Sequence, residues 1–176
     1  DRAQFELGPD QTASVATQYD TRKDLTQTQL GLAWKHRFDD GALRETRLTA
    51  YLGRRGVTQW LAIAPNTQGN VRHGGGVIDF DRRYDGTELR TRWALGPLDL
   101  VAGLALERQR DDRRGYENYT GTPPNQALGV TGRLRRDELN RAETRDAYLQ
   151  GEWPLAPQWS ASFGVRHGTV ELSAED

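Results

Sequence analysis

The chain contains no cysteine and no methionine among its 176 residues. The absence of cysteine excludes a disulfide scaffold, a cysteine-ligated zinc site, an iron–sulfur cluster and a thiol nucleophile. Lysine is scarce: apart from Lys23 and Lys35, the other 22 of the 24 basic residues are arginine. Because 25 acidic residues bring the net charge to −1, no overall basic field points to a nucleic-acid partner.

Long hydrophobic runs are missing as well. Residues 60–64 and 100–106 form the longest apolar runs, far below the roughly 20 residues that a membrane-spanning helix needs. Hydrophobic residues make up 35% of the chain and the mean hydropathy is −0.82, which is little material for a conventional soluble core. The apolar residues are nevertheless patterned and include five tryptophans, which argues against disorder.

Most of the chain alternates apolar and polar residues with a period of two, which is typical of strands with two unlike faces. In residues 29–38, for example, Leu30, Leu32 and Trp34 share one face and Lys35 lies on the other. The pattern predicts seven strands: Thr12–Tyr19, Thr26–Phe38, Arg44–Arg54, Thr87–Leu95, Leu98–Gln109, Thr144–Trp153 and Trp159–Val170.

The alternation also predicts which side chains share a face of the sheet. The apolar set, expected on the convex face, comprises Leu30, Leu32, Trp34, Leu100, Leu104, Trp153, Trp159 and Phe163. The polar set, expected on the concave face, comprises Arg37, Arg47, Arg90, Arg92, Glu107, Gln150 and Arg166.

The connections between the predicted strands are asymmetric. Those at Asp40, Gly96 and Pro154 are tight, whereas Gly56–Gly86 and Arg110–Arg141 leave long loops. Since short and long connections alternate, all long loops fall at one end of an up-and-down meander.

Aromatic residues mark the other end of the predicted sheet. Trp93, Trp153 and Trp159 lie beside the short turns, as at the membrane interface of a transmembrane β-barrel. We therefore predict an all-β fold: an antiparallel up-and-down meander of about seven strands that forms part of a transmembrane β-barrel.

Three stretches carry a family resemblance: TQTQLGLAWKHRF, PLDLVAGLALERQRDDRRGYENY and WPLAPQWSASFGVRHGTVEL. They resemble the barrel of TonB-dependent outer-membrane receptors, and the resemblance runs from about Asp20 to Leu172. It implies a barrel of about 22 strands with an N-terminal plug inside it, in the bacterial outer membrane. It also implies energised uptake of a ferric siderophore or a similar nutrient chelate. We expect residues 1–176 to be a barrel segment that lacks the plug and the remaining strands, so that TonB would act through a region missing here.

Candidate ligand-binding residues lie in the long connections. The stretch from Asp111 to Tyr119 follows a strand directly and contributes Arg113, Arg114, Tyr116 and Tyr119. Arginine and tyrosine are enriched among the side chains that dominate binding energy. Trp60 in the other long connection is a candidate stacking ring. The alternative is structural: the charges pair with each other, and Trp60 anchors a small loop core.

Catalytic and metal-binding patterns are weak. His73-Gly74-Gly75-Gly76 matches the oxyanion segment of esterases, but no G-x-S-x-G nucleophile elbow occurs, so a glycine-rich loop is the favoured interpretation. The three histidines are far apart in sequence, which leaves a local metal site unsupported. We expect no enzymatic activity and no cofactor.

One alternative from a different functional class is a self-contained soluble β-barrel that binds a small apolar ligand. It requires the leucine and tryptophan side chains to point inward, whereas the receptor requires them to point outward toward lipid.

Overall fold

The alternating segments form strands that are longer than predicted. A computed structural model describes residues 14–175. Its elements are α1 (Ser14–Gln18), β1 (Arg22–Arg37), β2 (Leu43–Trp60), α2 (Pro65–Gln68), β3 (Val77–Leu95), β4 (Leu98–Tyr116), β5 (Tyr119–Thr120), β6 (Ala127–Leu128), β7 (Leu134–Ala156) and β8 (Trp159–Glu175).

Six of the strands form one antiparallel sheet in the order β1–β2–β3–β4–β7–β8. Sequential neighbours pair throughout, and β5 and β6 form a separate two-stranded ribbon. The sheet is an up-and-down meander, which confirms the predicted all-β class. Within residues 14–175 the sheet does not close, since β1 and β8 each pair on one side alone. Neither helix in this part of the chain has the length and apolar content needed to cross a bilayer.

The connections lie as the meander requires. Residues 38–42, 96–97 and 157–158 join strands at one end of the sheet, called here the turn end. Residues 61–76 and 117–133 lie at the opposite end, called the loop end.

The two long connections are shorter than the predicted Gly56–Gly86 and Arg110–Arg141. Alternation fades toward the loop end because apolar and polar residues are mixed on both faces there, with Trp60 on one face and Val57 on the other, which hides these strand segments from the pattern. The backbone ladder nevertheless continues, and cross-strand pairs such as Arg82 with Asp111, at 2.8 Å, reinforce it.

The prediction of a strand at Thr12–Tyr19 is wrong for residues 14–19, the part of this segment that the structure describes. Residues 14–18 form helix α1, and the two residues before them lie outside the described range. The chain turns at Asp20, whose φ is 44°, and the backbone N–H of Thr21 donates to the carbonyl of Ala16 at 3.0 Å. The main sheet therefore has six strands, not seven. Consequently β1 begins and β8 ends at the same loop end, whereas seven strands would separate these two points.

The register confirms that the predicted apolar and polar sets occupy opposite faces. Directly paired residues across the six strands form rows, and one such row runs through Trp34, Leu48, Leu89, Leu104, Ala147 and His167. We call the face carrying this row the apolar face. Its side chains are well exposed: 70% for Leu32, 58% for Leu104 and 73% for Trp159. That exposure disfavours the soluble barrel, in which these side chains would pack inside.

The opposite, polar face is held by side chains that reach across two strands. Three tyrosines each lie over a glycine of the neighbouring strand, where a Cβ would collide with the ring, and make a hydrogen bond one strand further on. The sets are Tyr51 over Gly86 to Glu107, Tyr84 over Gly53 to Gln29, and Tyr148 over Gly103 to Glu88, each with a 2.9 Å oxygen–oxygen distance. The glycines thus leave room for rings that bind the strands together.

Candidate ligand-contact site at the loop end

Residues 61–76 and 117–133 pack against each other and form what we call the loop cap. Its centre is a pair of fully buried amides, Gln68 and Asn118, one from each connection. Gln68 Nε2 donates to Asn118 Oδ1 at 2.6 Å, and the backbone N–H of Asn118 donates to Gln68 Oε1 at 3.2 Å. Because buried amides are costly without partners, this reciprocal pair specifies one arrangement of the two loops.

The buried amides also organise the backbone of the first loop. Asn118 Nδ2 donates to the carbonyls of Leu61 at 2.6 Å and Ile63 at 3.1 Å. Gln68 Nε2 donates to the same Ile63 carbonyl at 2.7 Å. These bonds satisfy carbonyl groups that no strand ladder serves, so residues 61–68 fold around the amide pair.

Close backbone approach explains the glycine-rich sequence after His73. The N–H of Gly76 donates to the carbonyl of Tyr116 at 2.8 Å. A Cβ at Gly76 would lie 2.6 Å from the Asn118 side chain, and one at Gly75, whose φ is 95°, would overlap the Tyr116 backbone. The segment is a packing element of the loop cap.

A buried carboxylate ties the second connection to β7. Glu117 is 6% exposed, and its Oε1 accepts hydrogen bonds from Arg133 at 2.9 Å and Arg135 at 3.3 Å. Arg135 also donates to the carbonyl of Asn70 in the first loop at 2.7 Å. Two arginines offset the cost of burying the Glu117 carboxylate. Because Arg135 also binds the first loop, these hydrogen bonds join both loops.

The predicted ligand-contact residues all lie near the loop end, but they do not form one cluster. Trp60 ends β2, and the guanidinium of Arg22 stacks 3.6 Å from the ring centroid. Trp60 and Tyr116 lie in one row, separated by Val77. Tyr119 begins the β5–β6 ribbon inside the loop cap.

Arg113 and Arg114 point to opposite faces because they are consecutive strand residues. Arg114 lies on the apolar face, beyond its apolar part, and its Nε is 3.4 Å from Asp137 Oδ1. Arg113 lies on the polar face, is half-buried, and makes no hydrogen bond or ion pair with the residues described here.

Further arginines of the polar face lack partners, and the sequence-based site did not include them. Arg47 and Arg90 are directly paired across β2 and β3, beside Lys35 on β1. Lys35 is neutralised by Glu45 at 2.9 Å, whereas neither arginine has a hydrogen bond or ion pair within residues 14–175. Arg90 lines a hollow of about 760 Å³ on this face. The signal was available in the alternation, which places Arg47 and Arg90 on the polar face with Arg113.

Anion recognition is the chemistry that this arrangement offers. Free guanidinium groups present several N–H donors and match carboxylate and phosphate oxygens. Residues 14–175 contain no group of three or more histidine, aspartate or glutamate side chains arranged to hold a metal ion.

Residues 2–176 match the sequence profile of the family described as TonB dependent receptor-like, beta-barrel. The chain belongs to this family. The β-barrel named in this description agrees with the antiparallel meander of the main sheet.

Solved structures of transporters are similar to the chain. The copper transporter OprC matches with a TM-score of 0.66 and 15% identity, over 86% of this chain and 23% of OprC. The ferric citrate transporter FecA, in its unliganded form, matches with a TM-score of 0.61 and 16% identity, over 88% of this chain and 22% of FecA. At this identity the likeness establishes the fold. The chain spans less than a quarter of the length of either transporter.

Proposed function

We propose that the chain is a segment of an outer-membrane transporter that takes up a metal chelate, such as a ferric siderophore. In this proposal β1–β4, β7 and β8 form barrel wall, lipid covers the apolar face, and the polar face lines the interior. Energy reaches the transporter through TonB and a plug region outside this segment. The segment itself carries out no catalysis.

The observation that carries the proposal is the exposed apolar band on a single-layer sheet whose long connections all lie at one end. A lipid-facing band about 25 Å tall, with aromatic residues at its border, is characteristic of transmembrane barrels. Trp93 and Trp153 lie beside the turns at 36% and 48% exposure. Membership of the receptor family, and the likeness to a copper and a ferric citrate transporter, support transport as the activity.

For ligand contact we propose the five residues Trp60, Arg113, Arg114, Tyr116 and Tyr119, with Arg113 as the principal one. Arg113 combines a guanidinium that is unpaired within residues 14–175 with a position on the polar face near the loop end. Metal chelates with carboxylate or hydroxamate ligands carry acceptor oxygens that suit it. Arg114 engages Asp137, and it lies with Trp60 and Tyr116 on the other face, beyond the apolar band, so we assign these three residues a smaller share.

The test measures uptake by cells that express the intact receptor containing this segment. Arg113→Ala should reduce uptake of iron from ferric citrate or from a ferric hydroxamate, or uptake of copper, by about tenfold, which corresponds to the loss of one charge-assisted hydrogen bond. The amount of receptor in the outer membrane, measured by fractionation and immunoblotting, should not change. Alanine at the other four positions should have smaller effects.

The matched control is Arg44→Ala, which removes an exposed arginine at the turn end. It should leave uptake unchanged. If all five loop-end variants transport as well as the Arg44→Ala control, the assigned contact role is wrong. If the unmodified receptor fractionates with soluble proteins, the transport proposal itself fails.

A further inference from the structure

Arg55 is a half-buried arginine that the sequence-based site did not include. It lies on the polar face of β2, in one row with Arg82 on β3 and Asp111 on β4. Arg82 donates to both oxygens of Asp111, each at 2.8 Å, and Gln109 donates to the same carboxylate at 3.0 Å. Asp111 is therefore engaged by other donors, and Arg55 makes no hydrogen bond or ion pair with residues 14–175.

The burial of Arg55 makes its missing partner significant. Its Nε is buried and has no acceptor within residues 14–175. A buried donor without an acceptor costs free energy, and the cost is larger for a charged group. An anionic oxygen of a bound ligand would remove this cost, because charge-assisted hydrogen bonds are the strongest that a guanidinium makes.

Arg113 lies on the same face, two strands away and one row nearer the loop end. The strand spacing and the rise per residue place the Cα atoms of Arg55 and Arg113 about 12 Å apart. Phe80 lies on the strand between them, with the Arg82 guanidinium 5.0 Å from its ring centroid. Glu138 is directly opposite Arg113 but pairs with Arg136 at 2.8 Å. Two guanidinium groups thus flank one stretch of β3 without a carboxylate of their own within residues 14–175.

Positive charge exceeds negative charge on this part of the polar face. Within residues 14–175, its three rows nearest the loop end carry five basic side chains and two carboxylates: Lys23, Arg55, Arg82, Arg113 and Arg136 against Asp111 and Glu138. The next carboxylate on this face, Glu107, lies two rows toward the turn end from Arg55 and accepts a hydrogen bond from Tyr51. The loop cap adds two arginines, Arg72 and Arg133, against Glu117. An anionic occupant matches this excess.

A hollow of about 320 Å³ gives a ligand room beside Arg55. Its lining includes Arg55, Arg82 and Glu107. Arg108 and Asp85, one charge of each sign, complete the charged part of the lining. The unpaired guanidinium of Arg55 therefore borders open space on the polar face.

We propose that Arg55 and Arg113 together bind two carboxylate groups of one anionic metal chelate. This inference rests on the proposed function and narrows its substrate class to chelates with a net negative charge. A hydroxamate chelate without net charge would leave two half-buried guanidinium groups without a counter-charge. A site whose polar groups need partners discriminates strongly against a ligand that cannot supply them. The two arginines therefore select the ligand by its charge.

The test uses the intact receptor, purified in a neutral detergent, and isothermal titration calorimetry. The probes are ferric citrate, in which carboxylate groups hold the iron, and a ferric trihydroxamate without net charge. The unmodified receptor should bind ferric citrate at least about tenfold more tightly than the neutral chelate. Arg55→Gln should weaken binding of ferric citrate about tenfold and leave binding of the neutral chelate unchanged. Arg55→Lys, which keeps the charge, should lose less.

The matched control is Arg92→Gln, which removes an arginine from the same face near the turn end, where it pairs with Asp99 at 3.4 Å. It should not alter binding of either chelate. A measurement on the unmodified receptor needs no variant: raising the salt concentration should weaken binding of ferric citrate and spare the neutral chelate, because salt screens the charges.

Three results overturn the inference. The first is that the unmodified receptor does not bind ferric citrate, or binds it no more tightly than the neutral chelate. The second is an equal loss of both chelates in Arg55→Gln, which would make Arg55 a structural residue. The third is displacement of ferric citrate by an equal concentration of inorganic phosphate, since the two arginines would then recognise a free anion.

Uptake measurements separate this inference from the proposed function. A receptor that inserts and takes up the neutral chelate as well as ferric citrate contradicts the assigned substrate charge alone. A receptor that does not reach the outer membrane contradicts the proposed function.

Discussion

The turn-side half of the sheet and its loop end differ in which side chains they bury and which they expose. Gln68, Val77 and Asn118, the largest fully buried side chains in residues 14–175, all lie at the loop end. On the turn side, Leu32 and Trp159 are 70% and 73% exposed. The loop end buries polar groups within the protein, and the turn side leaves apolar groups on its surface. A single-layer sheet cannot cover its own apolar face, so that face depends on an external apolar medium, whereas the loop cap is stabilised from within.

The largest expected effect concerns the apolar face and the sheet edges. The 176-residue chain, produced alone, should aggregate in plain buffer and stay dispersed in detergent, because the exposed apolar face and the unpaired edges of β1 and β8 favour association. Analytical ultracentrifugation measures this directly. A monodisperse monomer with cooperative heat unfolding in buffer would favour the soluble barrel instead.

The next prediction compares the two faces at adjacent positions of β4. Leu104 lies on the apolar face at 58% exposure, and Ala105 points to the polar face. In the intact receptor, Leu104→Arg should destabilise the membrane-inserted state by about 2–4 kcal/mol, the cost of arginine near the bilayer midplane. Ala105→Arg, the matched control, should be tolerated. Denaturant titration of the reconstituted receptor compares them, and equal costs would contradict the assignment of faces.

A smaller effect is expected in the loop cap. Asn118→Ala removes the side-chain acceptor of Gln68 Nε2 and the side-chain donor to the carbonyls of Leu61 and Ile63. Gln68 keeps its bonds with the Ile63 carbonyl and with the backbone N–H of residue 118. Each lost hydrogen bond costs about 1 kcal/mol. We expect residues 61–76 and 117–133 to become sensitive to limited proteolysis while the sheet stays intact. Asn125→Ala, which changes an exposed amide in the same cap, should have no such effect.

The smallest effect is expected for the exposed pair of Arg114 and Asp137. Both side chains are more than half exposed, at 51% and 58%, and exposed ion pairs contribute little to stability. Asp137→Asn should leave the heat stability of the receptor unchanged, whereas Glu117→Gln, which weakens the pairing of a buried carboxylate with Arg133 and the buried Arg135, should lower it. Differential scanning calorimetry of the two variants tests whether burial makes the difference.

The fold was predictable where the alternation is regular. Residues such as Leu32, Trp93 and Phe163 alternate with polar neighbours, and a period of two assigns each of them to a face. The strand ends near Trp60 and Tyr116 were not predictable, because apolar and polar residues are mixed on both faces there and give no regular alternation. The five residues Ser14–Gln18 were also misassigned, since a short stretch with weak alternation does not separate a strand from a helical turn.

The candidate site was predictable in its location but not in its organisation. The position of Arg113 and Tyr119 at the loop end follows from the meander. Cross-strand register decides that Arg114 pairs with Asp137, whereas Arg113 has no hydrogen-bond or ion-pair partner among residues 14–175. The buried pair of Gln68 and Asn118 joins residues 50 positions apart, and no local pattern marks it.

The regular parts of the strands, the short turns and the two unlike faces follow from neighbouring residues and the two-residue repeat of a strand, so they can be inferred from the amino-acid sequence. Which residues of different strands lie side by side depends on the register of the folded sheet. Arg54, Arg83, Arg110 and Arg141 are scattered along the chain and become one row through register alone. The loop cap, likewise, exists because two distant connections meet and satisfy each other's buried polar groups.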